Sequence, residues 1–245
     1  MYTNSEIQTR LKDSGFPRLI PAYLRTTGDN TIDSEALNDG LAALFDNYYL
    51  DRIEQSYEKN IVKAALPRTG VTIDDVDWQR FANVKWYKVQ QIRDGKWIQQ
   101  SRSVLIHGND GDEQVKLGCA LSIEFMYQGL SVRSAPLKQL TFELIEAHTK
   151  QTLKKAISAL KRIDVLFIYE FELTQLSALE CYLLASLVSA RAMKGGFLIS
   201  SSSLPDKWCK QVDDVGLIDA VNTQIDPDLI ALNMLSKHNK EGKHG

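Results

Sequence analysis

Cysteine is scarce: three residues in 245, Cys119, Cys181 and Cys209, with no CxxC pair among them. Neither a disulfide framework nor a zinc ribbon can be built from that set, and a reducing, cytoplasmic setting is the expectation. Long apolar runs are missing as well. No stretch reaches about 18 uninterrupted apolar residues, and the polar opening MYTNSEIQTRLKDSG lacks the apolar centre of a signal peptide, so no membrane association is expected. Nor does one sign of charge dominate. Lys and Arg total 29 against 31 Asp and Glu, a formal net charge of −2, which moves any nucleic-acid reading onto local clusters. Three clusters are visible: Lys154, Lys155, Lys161 and Arg162; Arg191 with Lys194; and a tail carrying Lys237, His238, Lys240, Lys243 and His244. The four histidines, His107, His148, His238 and His244, show no metal-ligand spacing, so no metal site is expected. Cys119 and Cys181 fall in apolar helical text and read as small core residues.

What is present is an alternation of patterns. Pro17 and Pro21 bracket a segment expected to be extended, and TTGDN reads as a turn. Ser34 then opens a helix as its N-cap, with Leu37, Leu41, Leu44, Phe45, Tyr48 and Tyr57 on one apolar face and Asp51, Arg52, Glu54, Glu58 and Lys59 on the other, ending near Leu66. That face packs on its own domain or receives a partner. Residues 69–83 read as a connection, and Val84 to Ile98 as a helix weakened by Gly95.

From there strands and helices alternate. Strand text at Ser103 to Ile106 runs through a Gly- and Asp-rich turn into a helix closing on Gly129. LSVRSA is a second strand, followed by helical text over 138–148 and 153–162. Val165 to Phe171 and Phe197 to Ser201 have the continuous apolar character of strands buried on both faces. A long helix over 174–194 ends at Gly195-Gly196; a short helix over 205–212 and a last strand, VNTQI at 221–225, complete the set. Strands alternating with helices predict an α/β fold, a parallel sheet with helices on both faces joined by right-handed crossovers, preceded by a small helical region. The expected divisions are a helical partner-binding region over 1–66, an α/β domain over 67–235 and a flexible tail over 236–245.

The first strand-turn-helix is where chemistry would sit. A phosphate-binding P-loop reads GxxxxGK[ST]: backbone N–H groups surround the phosphates, the lysine meets the outer phosphates and the hydroxyl holds magnesium. Here Gly108 and Gly111 stand at two of its positions, while Glu113 replaces the last glycine, Gln114 the lysine and Val115 the hydroxyl residue. Asp110, Asp112 and Glu113 add three negative charges with no cation in the adjoining text to offset them, so phosphate is expected to be repelled. The strand VLFIY ends on Tyr169 where such enzymes place a magnesium-positioning aspartate, leaving Glu170 as the one carboxylate that could activate water. Two glycines alone are equally consistent with an ordinary strand-to-helix turn.

Longer stretches resolve that choice. The text from Trp97 to Ala147 resembles the nucleotide-motif region of the AAA+ family of IstB-type transposition helper ATPases and DnaC-type helicase loaders, where "NVLLLGPPGVGKTHLA" stands at the loop. LPRTGVTIDDVDW resembles the family's lead-in, IDVLFIYEF its "DLLIIDEL", and GFLISSSSLPDKW its "TILTSNLPFEEW". The resemblance spans about Ala64 to Ile225 and implies a P-loop (AAA+/RecA-like) fold. Residue by residue, Gly108 and Gly111 match the loop, Glu170 the second acidic residue, and Trp208 the tryptophan after the fourth strand. Ser202, or Ser203 in a register one later, stands at the sensor asparagine, and Ala220 at the arginine of the "DRL" box. The resemblance also implies a helical N-terminal region that engages a partner and an ATPase domain that assembles on DNA.

Three functions are therefore weighed. The first is a non-catalytic accessory protein in transposition or replication, using no cofactor and binding a transposase, a replicative helicase or an active AAA+ relative, with DNA as a further partner and homo- or hetero-oligomers as its assembly. The second is an active ATPase holding ATP and magnesium through atypical ligands, with Glu170 as base and Lys116 standing in for the lost lysine. The third is a nucleotide-independent DNA scaffold using Lys154, Lys155, Lys161 and Arg162. The run Ser200 to Ser203 reads as a polar ligand site or a plain strand exit.

Overall fold

The computed structural model describes residues 2–28, 33–81, 84–173, 176–192, 194–208, 214–225 and 227–237. The chain divides into two compact units, Met1–Tyr57 and Glu58–Gly245.

In the first unit, helix α1 (Asn4–Asp13) opens on a capping box in which Thr3 and Glu6 satisfy each other's backbone amides. Pro17 and Pro21 do not bracket an extended segment. A 3-10 turn (Pro17–Leu19) leads into α2 (Ile20–Thr27), with each proline in a first helical turn, where its missing N–H costs nothing. Helix α3 (Ser34–Ala64) is capped by Asp33, not Ser34: the Asp33 carboxylate accepts from the Glu35 and Ala36 amides at 3.0 and 3.2 Å. Ile7, Leu11, Tyr23, Ala42 and Phe45 form the core. The Tyr23 hydroxyl reaches the buried Asn38 side chain at 2.6 Å. Leu44 and Tyr48, expected on the packed face, stay outside with Phe16, whose ring meets Tyr48 edge-on.

The second unit is built on a five-stranded sheet: β1 (Ser103–Gly108), β2 (Val132–Pro136), β3 (Val165–Tyr169), β4 (Gly196–Ser201) and β5 (Ile230–Met234). Their order is β2-β3-β4-β1-β5, with every pairing parallel. A parallel sheet of this kind needs cover on both faces. One face receives α4 (Trp86–Arg93), α5 (Lys96–Gln99) and α6 (Gly111–Tyr127). There Gly118 of α6 lies against the Phe167 ring, and Gly196 against Trp97. The other face receives α7 (Leu137–Thr149), α8 (Leu153–Lys161), α9 (Ala178–Arg191) and α11 (Val215–Ala220), whose apolar sides close over Leu105, Leu166, Ile168, Phe197 and Ile199. A short α10 (Pro205–Trp208) follows β4.

Two expected elements differ. The helix over 84–98 is two helices, because Gly95 takes φ +69°, a left-handed conformation that ends one helix and opens the next. VNTQI is not a strand: Val221–Ile225 is a single π-helical turn continuing α11, and the edge strand is IALNM. Cys119 and Cys181 are buried free thiols, with burial pushing the Cys119 thiol up to about 11. Cys209 and the tail from His238 lie outside the described residues.

Candidate nucleotide cleft

At the C-terminal edge of the sheet, β1 ends on Gly108 and α6 starts at Gly111, so only Asn109 and Asp110 remain as turn. In a phosphate loop those residues would present their amides to the ligand. Here Asp110 caps α6, its side chain accepting the Glu113 amide at 3.2 Å and its carbonyl the Gln114 amide at 3.0 Å. The helix N-terminus thus carries its own anion. Gln114, at the lysine position, is 2 % exposed and does not reach outward. Its Oε1 accepts from the Ser200 hydroxyl of β4 at 3.0 Å, and its Nε2 lies so near Gly108 that a Cβ there would sit 2.7 Å away. Val115 offers no oxygen.

The three carboxylates expected to stand uncompensated are each paired. Asp112 pairs with Arg68, Asp110 with Arg80 at 2.8 Å, and Glu113 with Lys116. Glu113 also accepts the Asp77 amide at 3.0 Å, and Lys116 donates to the Asp75 carbonyl at 3.3 Å. Asn109 joins the pattern from the other side: its Oδ1 accepts from the Ser236 amide and hydroxyl at 2.8 and 3.0 Å. The substituted loop is therefore a clip that holds the lead-in segment over 68–80 and the exit of β5. Lys116 does not line the cleft, which removes it as a stand-in for the missing lysine.

Burial alone would raise the Glu113 carboxyl. The hydrogen bonds from Lys116 and the Asp77 amide, with the Lys116 and Arg80 charges, outweigh it and hold the group below its ordinary value of 4.5. A depressed carboxylate contributes stability that is present above 4.5 and lost as pH falls through the lower folded value. Glu113→Gln is accordingly expected to cost about 2 kcal/mol at neutral pH, a charge-assisted pair being exchanged for a neutral one. The gap to the unmodified protein narrows below 4.5. Denaturant melts at several pH values check this, and a gap that stays constant into acid contradicts it.

Beside the clip lies an open cleft of about 630 Å³ lined by Arg68, Gly108, Gly111, Asp112, Gln114, Tyr169, Glu170, Glu172 and Ser200 to Ser202 among others. Glu170 is exposed and sits at φ +52°, a strained conformation for a residue with a Cβ. Ser202, the sensor-position residue, is occupied: its amide and hydroxyl bond the Glu172 carboxylate at 3.2 and 2.6 Å. Ser201 anchors the strand exit, donating to the Phe171 carbonyl and accepting from Trp208 Nε1 at 3.1 Å. Trp208 is fully buried against Phe171, and Ala220 is buried in α11. One cation, Arg68, thus faces three carboxylates, Asp112, Glu170 and Glu172. Arg68 and Glu172 carry no signal in the sequence pattern, since Arg68 follows Pro67 in a loop and Glu172 follows the strand. The residues present do not fit magnesium-ATP: no lysine, no hydroxyl at position 115 and no aspartate at position 169 is available for it.

Of the basic clusters, Lys154, Lys155 and Lys161 share one face of α8, with Arg162 at its C-cap. Arg191 belongs to no surface cluster. It is 1 % exposed, and its guanidinium donates to the carbonyls of Leu160, Ile163, Asp164 and Gly196. His107 is half-buried on β1 and burial lowers its pKa.

A parallel sheet in the order β2-β3-β4-β1-β5, with a strand-turn-helix at the end of β1, defines a P-loop α/β protein of the AAA+ type. The family profile described as IstB-like ATP-binding protein matches residues 9–226, and the chain belongs to that family. It is 22 % identical over 71 % of its length to an insertion-sequence ATP-binding protein of Sinorhizobium fredii, and the match spans 58 % of that relative. It is 23 % identical to an insertion-sequence ATP-binding protein of Pseudomonas fluorescens, over 69 % of this chain and 73 % of the relative. Among solved structures, DnaI aligns with a TM-score of 0.52 at 13 % identity, over 69 % of this chain and 89 % of DnaI. AMPPCP-bound DnaA from Aquifex aeolicus aligns with a TM-score of 0.51 at 13 % identity, over 65 % and 51 %. No helix among the described residues is long and apolar enough to cross a membrane.

Proposed function

We propose that this chain is a non-catalytic IstB/DnaC-type accessory protein that acts in transposition or replication by binding partners without ATP. The observation that carries the reading is the clip: the side chains of Asn109, Asp110, Asp112, Glu113 and Gln114 each accept a bond or ion pair from within the chain. A site whose ligands are internally satisfied gains little from phosphate and loses the ion pairs it must break. An ATPase with atypical ligands is not favoured, because Lys116 is committed to Glu113.

The helical N-terminal region is the partner-binding element of this reading. Phe16, Leu19, Leu44 and Tyr48 stay exposed there, and side chains of that kind supply binding energy at protein interfaces. The partner is a transposase, a replicative helicase or an ATP-using relative. DNA contact is assigned to the basic face of α8, where Lys154, Lys155, Lys161 and Arg162 form no ion pair among the described residues.

Anisotropy of a labelled DNA duplex tests the reading. Binding is expected at low salt, falling steeply as salt rises, weakened by Lys154→Gln with Lys155→Gln, and unchanged by ATP and magnesium. Binding that appears only with ATP contradicts the nucleotide-free reading, and absence of binding at low salt removes DNA from it.

A further inference from the structure

The opposite, N-terminal edge of the sheet holds a second cavity of about 170 Å³, walled by Arg102 and Ser103 at the start of β1, Arg191 at the end of α9, Phe197 of β4 and the segment after α11. Two of its lining side chains are 1 % exposed and carry donors without a hydrogen-bond partner among the described residues: Arg191 Nε and Ser103 Oγ. The other Arg191 donors meet only neutral carbonyls, at 2.9, 3.4 and 3.1 Å for Ile163, Asp164 and Gly196. Among the described residues no carboxylate hydrogen-bonds the guanidinium: that of Asp164, held by the Ser131 amide and hydroxyl, favours its charge only through space. A buried charge without a bonded counter-ion is ordinarily matched by an anion. Burial lowers the Arg191 pKa to about 10, still leaving it charged at neutral pH. Half-buried Arg102 adds a second guanidinium, anchored through Nε to the Asp228 carbonyl at 2.9 Å. Among the described residues, the one carboxylate in the wall is that of Asp228, and it is exposed.

We propose that this cavity binds a tetrahedral oxyanion of the phosphate class, held by Arg191, Ser103 and Arg102. Its volume of about 170 Å³ has room for an ion that displaces a few waters. Two arginines and a hydroxyl supply the charge-assisted donors such an ion requires. Lys161, Arg162 and Lys194, with Ser158, line a hollow at the same edge of the sheet and raise the local concentration of anions. Free phosphate and a nucleic-acid backbone phosphate share this chemistry. The proposal is independent of the state of the cleft at the other end of the strands.

The test is a thermal-melt titration with inorganic phosphate at constant ionic strength, on the unmodified protein and on a Ser103→Ala, Arg102→Gln double variant that leaves Arg191 and its carbonyl bonds in place. A saturable rise in Tm is expected, with phosphate affinity at least about tenfold weaker in the variant, since charge-assisted bonds are lost. No saturable rise, or the same rise in both proteins, means the cavity holds only water and overturns the proposal. A DNA duplex added to phosphate-loaded protein separates the sources. Displacement of phosphate assigns the site to the backbone of nucleic acid, and persistence assigns it to the free ion.

Discussion

Arg191→Met is expected to destabilise the second unit by at least about 3 kcal/mol, a large share of the roughly 5–15 kcal/mol available to a typical domain. Exchanging a buried charge for a methionine of similar stem length is by itself neutral or favourable. The carbonyls decide the sign. Leu160, Ile163, Asp164 and Gly196 lie at the end of α8 and at the starts of β3 and β4, and all four turn their oxygens to the guanidinium. Leu160 and Asp164 keep a backbone bond, from the Ile163 and Gly196 amides, so the cost of roughly 1–3 kcal/mol per lost bond where water cannot replace it falls mainly on Ile163 and Gly196. The lost stacking over Phe197, 5.1 Å from the guanidinium carbon, adds to the loss. Urea unfolding reads the effect directly, and an unchanged midpoint would show that those carbonyls are solvated.

Gly118→Ala is the second large effect, and here propensity and packing oppose each other. In mid-helix, alanine is favoured over glycine by about 1 kcal/mol. At this position, however, a Cβ would lie 2.1 Å from the Phe167 ring carbon Cζ. Phe167 is fully buried in the middle of β3 and has no exposed space into which to turn. Relieving the clash requires α6 or the ring to move by more than an ångström, and overpacking of that kind costs 1–3 kcal/mol or more. A net loss of about 2 kcal/mol is expected. Since α6 carries the clip at its first turn, the same substitution is expected to loosen the Gln114 contact with Ser200. A stabilised Gly118→Ala protein would show that helix and sheet are not in contact as described.

The alternation of the second unit was legible because buried parallel strands leave uninterrupted apolar runs, as at Val165–Tyr169 and Gly196–Ser201. The last strand was not. VNTQI carries the β-branched residues, yet it continues α11, while IALNM at the sheet edge alternates in burial and includes Asn233. The substitutions at Glu113, Gln114, Val115 and Tyr169 were equally plain from the text. Their consequence is not legible there, because charge counted along the chain takes no account of partners far away in it. Asp112 meets Arg68 across 44 positions and Glu113 meets Asp77 across 36. The acidic loop is therefore not a bare repulsive surface. It is an internally paired one, and the excess negative charge lies instead on the far wall of the cleft at Glu170 and Glu172.

On the proposed non-catalytic reading, that distinction changes what would oppose nucleotide binding. Repulsion alone would be screened by salt or magnesium. A cap already filled by Asp110, a glutamine folded onto Gly108 and Ser200, and ion pairs that must be broken first are not removed by either. Isothermal titration of the protein with ATP and magnesium tests this most directly. The expected result is no saturable heat up to millimolar nucleotide, at low and at high salt; a dissociation constant in the micromolar range would contradict it.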